Sequence, residues 1–527
     1  MNSLKEGVPP ELIATRIGAA LETLYTTISI NISQVRSKLA HTRNQILSPT
    51  YRLPDEVLTE IFSYVIFTPL DPYDPITITD SLVKMYRPLH TLASVSRMWR
   101  NLALSRGEFW STVPIVDPDY SPLSLRFKQA TDLSLTRATH GDLHLAAIRD
   151  HQHRPIRSLR DHASRFRTVN ITSKSRYSID STLRPFLTLD SSSRLTELSL
   201  RVESDASSKP NDLLQDKDHL FPLDSEDRKS FDKLLKSLSV VRICGIPIHW
   251  GQTLFSKQLV ELHLQDITLG YDAAMANLLS ALVTATELRK LKLISVNTFL
   301  DTRSISPKPT SIALPKLESL LIQDLYNHTL YLILETIASR THDLRLHLTR
   351  KCVQINMPGQ FEPDEFGIDE LYDPLEKASV GTLLIHGGDH DPWISPDELE
   401  TIIQLMPDLV CIEMDSWVYT REYCRALERP HDSHSHPFPQ IEYLHFSWAK
   451  ILDETAFKLM VLSHAGVLEQ MILGAAVPGG PGGTEDWRPL EDNDEIIRWL
   501  EIHVDTFIHM DYSFEQPEFL PPKWQLW

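Results

Sequence analysis

One apolar pattern recurs ten times along this chain: large aliphatic or aromatic residues at positions i, i+3 and i+5. The pattern starts at Phe166, Leu195, Leu238, Leu259, Leu288, Leu317, Val380, Leu409, Ile441 and Leu468, as in "LVELHL" and "LRKLKL". Four of the nine spacings between starts are 29 residues, and the 63-residue interval after Leu317 is close to two such units. In a strand, i+3 and i+5 share a face. Leu262 and Leu264 are therefore predicted to enter a core while Glu261 and His263 face out. A unit this short cannot bury its apolar face alone, so successive units must stack, each supplying one short parallel strand and a return segment.

This self-similarity resembles the leucine-rich repeat, and segments such as "DAAMANLLSALVTA" and "HTLYLILETIAS" read as its helical returns. Repeats of that family carry Asn or Cys at i+8 to bond the neighbouring turn. Here i+8 holds Ile267, Val296, Leu325 and Trp417, which predicts irregular turns. Acidic, proline-containing stretches near residues 201–230 and 355–379 read as surface loops. "AAVPGGPGGTEDWRPLEDNDE" reads as a linker, and "EIIRWLEIHVDTFI" as a segment capping the open end.

The N-terminal part has helical rather than strand periodicity. Residues 9–47 carry Ile13, Ile17, Leu21, Leu24, Ile28, Val35, Leu39 and Ile46 at helical spacing, predicting one long helix or a helical pair packed on the rest of the chain. The heptad is too irregular to favour a coiled coil. "LPDEVLTEIFSYV" follows, with Pro54 placed for the first helical position and Asp55 and Glu56 in the first turn. Val57, Leu58, Ile61, Phe62 and Val65 are expected on one face. A second helix is expected at "LHTLASVSRMWRNLALS", carrying Leu89, Leu92, Val95, Trp99 and Leu102, and ending near Phe109 and Trp110. The prolines between the two predict an inserted loop over residues 68–88.

These two helices and their terminal aromatic pair resemble the F-box motif. Leu53, Pro54, Glu56, Val57, Leu58, Ile61 and Phe62 match its opening, and Val95, Ser96, Arg97, Trp99, Arg100, Leu102, Ala103, Phe109 and Trp110 its close. The insertion departs from the family pattern. In the family this apolar face docks on the Skp adaptor subunit of a cullin-based ubiquitin ligase. The resemblance thus implies an adaptor-binding set of Leu53, Pro54, Val57, Leu58, Ile61, Phe62, Val95, Trp99, Leu102, Phe109 and Trp110. The expected fold class is α/β: a helical region at 1–48, an F-box at 49–125, an irregular leucine-rich-repeat solenoid at 126–477, and a linker with a capping segment at 478–527. The irregular repeats, long first helix and inserted motif resemble the large fungal set of F-box proteins.

Charge and motifs narrow the function. A formal net charge of -18 opposes phosphate backbones and anionic membranes. No window holds about eighteen uninterrupted apolar residues. The four cysteines form no CxxC pair, which fits a reducing compartment, cytoplasmic or nuclear, and supplies no zinc framework. The sequons at Asn31, Asn170 and Asn327 then read as chance. His386, Asp389, His390 and Asp391 in "IHGGDHDPW" have the residue types of a metallohydrolase but no matching second cluster, and His431, His434 and His436 read as a polar loop. No phosphate-binding loop or nucleophile elbow is present, and Cys411 beside Glu413 reads as an inert thiol. No cofactor, metal or catalytic residue is expected. What remains is a surface: His263, Lys290, Lys292, Leu321, Leu384, Glu413, Tyr443 and His445 at outward strand positions, with Trp417 and Trp448 just after strands and expected side by side. The reading is a ubiquitin-ligase substrate receptor, with Lys290 and Lys292 as candidate contacts for a phosphorylated target. A scaffold acting without ubiquitination is the alternative.

Overall fold

The apolar triplets become strands of a single sheet in the computed structural model, which describes residues 9–47, 49–67, 76–117, 124–138, 141–150, 157–188, 194–203, 213–250, 255–302, 311–337, 342–360, 362–388, 392–430, 438–479, 487–514, 519 and 524–526. In chain order the principal strands are β1 (Thr112–Val116), β2 (Leu143–Arg149), β3 (Phe166–Ser173), β4 (Glu197–Val202), β5 (Val240–Cys244), β6 (Glu261–Gln265) and β7 (Lys290–Ile294). There follow β8 (Ser319–Gln323), β9 (Asp343–Leu348), β10 (Val380–His386), β11 (Cys411–Asp415), β12 (Tyr443–Ile451), β13 (Gln470–Pro478) and β14 (Thr506–His509). Each pairs in parallel with its successor in the chain. Trp487–Pro489 runs antiparallel to β13.

Four of these strands lie outside the ten triplets. β9 fills the long interval after Leu317. β1 starts the sheet ahead of the expected boundary at residue 126, and β2 precedes the first triplet. The segment expected to cap the array instead forms the helix Glu495–His503 and β14, adding one more strand. Inward strand residues such as Val169, Ile171, Leu262, Leu264, Leu291 and Leu293 share one continuous core with Ile179 and Leu183 of the helix Arg176–Leu187, Leu278 and Leu282 of Asp272–Leu282, and Ile402 of Pro396–Gln404. The helices thus cover one face of the sheet. Local sequence starts them where the periodicity requires: Ser395 and Glu398 form a capping box around Pro396.

The turns explain the absent Asn ladder. Asp266, Ser295, Asp324, Ser416 and Trp448, each at i+7 of its triplet, adopt left-handed backbone with φ of 48–56°, and Gly245 occupies the same place at φ 68°. The amides of Gly245, Asp266, Ser295 and Ser416 donate to carbonyls of the next strand, at 2.9–3.0 Å. The reversal is made by backbone, so i+8 is released to the core: Ile267, Val296, Leu325 and Trp417 are all buried. Gly245 has no substitute, because a Cβ there would lie 2.6 Å from the Val202 carbonyl oxygen. Neighbouring turns are also tied through side chains, with Asp324 accepting from Ser295, Thr349 and Lys351.

A second compact unit draws on residues 1–68 and 85–109. Its helices are α1 (Pro10–Leu47), α2 (Asp55–Ile66), the C-terminal part of α3 (Ile78–Val95) and α4 (Arg97–Ser105), followed by a 3-10 turn at Gly107–Trp110. α1 is one continuous helix, but Ile17, Leu21, Leu24, Ile28 and Val35 stand exposed rather than packed as expected. Periodicity reports an amphipathic helix and not what covers it. Of the expected loop 68–88, residues 78–88 are helical and 68–75 lie outside the described residues. Thr77 and Asp80 cap α3, their side chains bonded to each other and the Asp80 amide bonded to the Thr77 hydroxyl, and the helix runs through Pro88. The single second helix expected from residue 89 is instead broken at Ser96, whose hydroxyl accepts from the Trp99 amide to start α4.

Candidate interaction surfaces

α2 carries apolar residues on two stripes rather than one. Leu58, Phe62 and Ile66 point inward and are buried. Val57, Ile61 and Val65 point outward, each 43% exposed. The four-residue step within each set keeps it on one side of the helix. Phe62 packs edge-on against Trp99 with centroids 5.0 Å apart, and lies 6.3 Å from Phe109, so the inner stripe holds the helices together. The expected adaptor-binding set therefore divides. Pro54, Val57, Ile61 and Val95 are exposed, Leu53 and Trp99 are half-buried, and Leu58, Phe62, Leu102, Phe109 and Trp110 are buried. Pro54 is the N-cap of α2 and not its first residue. Tyr64 and Phe67, outside the expected set, add exposed apolar surface. A separate groove is lined by Asp55 at the start of α2 and by Arg97, Met98, Asn101, Leu102 and Ser105 of α4.

On the sheet, the face away from the helices is polar and ordered by register. One ladder runs Asn170, Ser199, Arg242, His263, Lys292, Leu321, Arg345, Thr382, Cys411 and Tyr443 across neighbouring strands. The next runs Gln265, Ile294, Gln323, His347, Leu384, Glu413 and His445. Most of the expected target-binding residues fall on these two ladders, and Lys290 sits exposed on the ladder beside them. His263, Leu384 and Glu413 face this way as expected but are buried. Trp417 is not on this face: it lies in the core, edge-on to Tyr423. Trp448 lies at a register shift in β12, edge-on to Tyr512 and not beside Trp417. The i+4 rule that selects His263 also selects Asn170 and Arg242, which the expected set omits.

The face is electrostatically knit. Arg242 donates to both Glu261 oxygens at 2.7 and 3.1 Å, and Arg345 to Glu413 at 3.1 Å. Burial alone would raise the Glu261 carboxyl, but the Arg242 pairing outweighs it and holds the group below the usual range. Burial, reinforced by Lys292, pushes His263 down to about 3, and burial brings His347 down to about 4. Burial also lowers Lys292. These histidines are neutral at physiological pH.

Two clusters among the described residues bring metal-ligating atoms within 4.8 Å of one another: Asp216, His219 and His249, and Cys411, Glu413 and His445. The rings of His219 and His249 stack 3.6 Å apart at 13°, so their nitrogen lone pairs run side by side instead of converging. Glu413 is already committed to Arg345. Of the expected histidine motif, His386 is described and Asp389, His390 and Asp391 lie outside the described residues, as do His431, His434 and His436. All four cysteines are buried and none forms a disulfide, and burial raises Cys244, Cys352 and Cys424. No described helix is long and apolar enough to cross a membrane.

No curated protein matches the chain. The F-box-like family model matches residues 50–114, the span that holds α2, α3, α4 and the terminal aromatic pair. The chain thus carries an F-box-like domain ahead of a mostly parallel α/β sheet.

Proposed function

We propose that this chain is the substrate-recognition subunit of a Skp–cullin–F-box ubiquitin ligase. The observation that carries the reading is the outward stripe of Val57, Ile61 and Val65 within the F-box-like domain: aliphatic residues that a folded helix leaves in water. Docking on the Skp adaptor would remove that surface from water, with Pro54 and Val95 contributing, while Leu58, Phe62, Leu102 and Phe109 support the helices from within.

The parallel sheet is read as an irregular leucine-rich-repeat solenoid whose polar face holds a target protein. The chain contributes geometry and no bond-making group. Holding target and ligase together raises the effective concentration of a target lysine near the charged ubiquitin carrier. The test is co-purification of the full chain with the Skp adaptor and a cullin. Recovery of all three in one complex is expected. Adaptor without cullin would favour a scaffold acting without ubiquitination, and absence of the adaptor would overturn the docking role.

A further inference from the structure

The polar face of the sheet is already occupied, and the occupant is the chain's own C-terminal tail. Beyond β14, three aromatic residues return across the strands in reverse order. Tyr512 lies edge-on to Trp448 of β12, with centroids 4.9 Å apart. Phe519 lies edge-on to His347 of β9 at 5.1 Å and to His386 of β10 at 6.4 Å. Trp524 lies 6.0 Å from His263 of β6 and is buried.

The far end is held most specifically. The Trp524 indole N–H donates to Asn170 Oδ1 at 2.9 Å, and Asn170 Nδ2 donates to the Gln525 carbonyl at 2.8 Å. One buried side-chain amide thus reads an indole and the backbone carbonyl of the residue that follows it. Two features fit an exchangeable ligand. The sequence between anchors carries Pro517, Pro521 and Pro522, which have no N–H to give to a sheet. His347, buried beneath Phe519, has no hydrogen-bond partner at either ring nitrogen among the described residues, so the tail leaves a polar group unanswered that another ligand could satisfy.

We infer that the tail is a resident occupant of the target-binding face, and that a target binds by exchange: an extended segment displaces it and places a tryptophan in the Asn170 clamp. This rests on the assignment of the sheet face to target recognition. A fluorescein-labelled peptide of residues 515–527 tests it by anisotropy against three proteins: the full chain, a chain ending at Phe514, and full-length Trp524→Ala.

The shortened chain should bind the peptide, and a peptide carrying Trp524→Ala should bind it about tenfold or more weakly. The full chain should bind at least about tenfold more weakly than the shortened one, because its tethered tail competes at high effective concentration. Full-length Trp524→Ala should recover part of that difference. Equal affinity of the full and shortened chains, or no binding by a shortened chain with native circular dichroism, overturns the inference. Should shortening unfold the protein, failure of full-length Trp524→Ala to bind better than wild type overturns it. Adaptor co-purification is read separately: its loss with tail exchange intact removes the ligase role and leaves the exchange standing.

Discussion

Replacing Val57, Ile61 and Val65 together by serine should weaken adaptor binding steeply and leave the fold intact. Each side chain is 43% exposed in the chain alone. Full burial of a Val or Ile side chain contributes about 1.5–3 kcal/mol, so covering the exposed part contributes about 0.6–1.3 kcal/mol per residue and roughly 2–4 kcal/mol for three. That corresponds to a roughly 25- to 700-fold loss of affinity. Serine is close to valine and isoleucine in helix propensity, so α2 itself should lose only a few tenths of a kcal/mol per site. The contrasting variant is Phe62→Ala on the inner stripe. Phe62 is 0% exposed, and its truncation should cost about 3–5 kcal/mol of stability and lower adaptor binding only through unfolding. Isothermal titration with the purified adaptor, alongside denaturant midpoints, separates the two effects. A triple serine variant that binds as tightly as wild type would refute the docking stripe. So would one whose loss of affinity is matched by a loss of stability.

The pH dependence follows from the buried histidines. His263 and His347 titrate at about 3 and about 4 in the folded chain, below the unfolded value, so the unfolded state takes up protons first as pH falls. Stability present above about pH 6.5 should decline towards pH 4, by roughly 2 kcal/mol per histidine at pH 5. Chemical denaturation at pH 7 and pH 5 checks this, and a His263→Gln/His347→Gln variant should flatten the slope. Backbone geometry supplies another prediction. Gly245→Ala meets both a left-handed φ of 68° and the Val202 carbonyl, whereas Gly359→Ala has φ 79° and nothing within 4 Å. Gly359→Ala should cost about 1–2 kcal/mol for the backbone alone and Gly245→Ala distinctly more. Equal denaturation midpoints for the two would remove the close-approach argument.

Much of this molecule was legible in one dimension. The i, i+3, i+5 triplet determines a strand, its inward residues and its register, because side-chain alternation and stacking of identical units are both local consequences of sequence. All ten triplets appear as strands, Leu262 and Leu264 are in the core, and the two-unit interval after Leu317 contains β9. The F-box-like pattern was legible for the same reason, since it is a set of helical spacings. Tertiary structure decided what each apolar or polar residue faces. Spacing could not separate the inward stripe of α2 from the outward one, because a helix apolar around most of its circumference has no unique buried side. It could not show that Trp417 enters the core, since that follows from the left-handed turn at Ser416, a conformation serine gives no sign of adopting. Nor could it show that Trp524 lies on Asn170, a contact across 354 residues made by a non-periodic tail. Periodicity reports how a segment folds against its own neighbours, and long-range contact alone decides which surfaces remain for a partner.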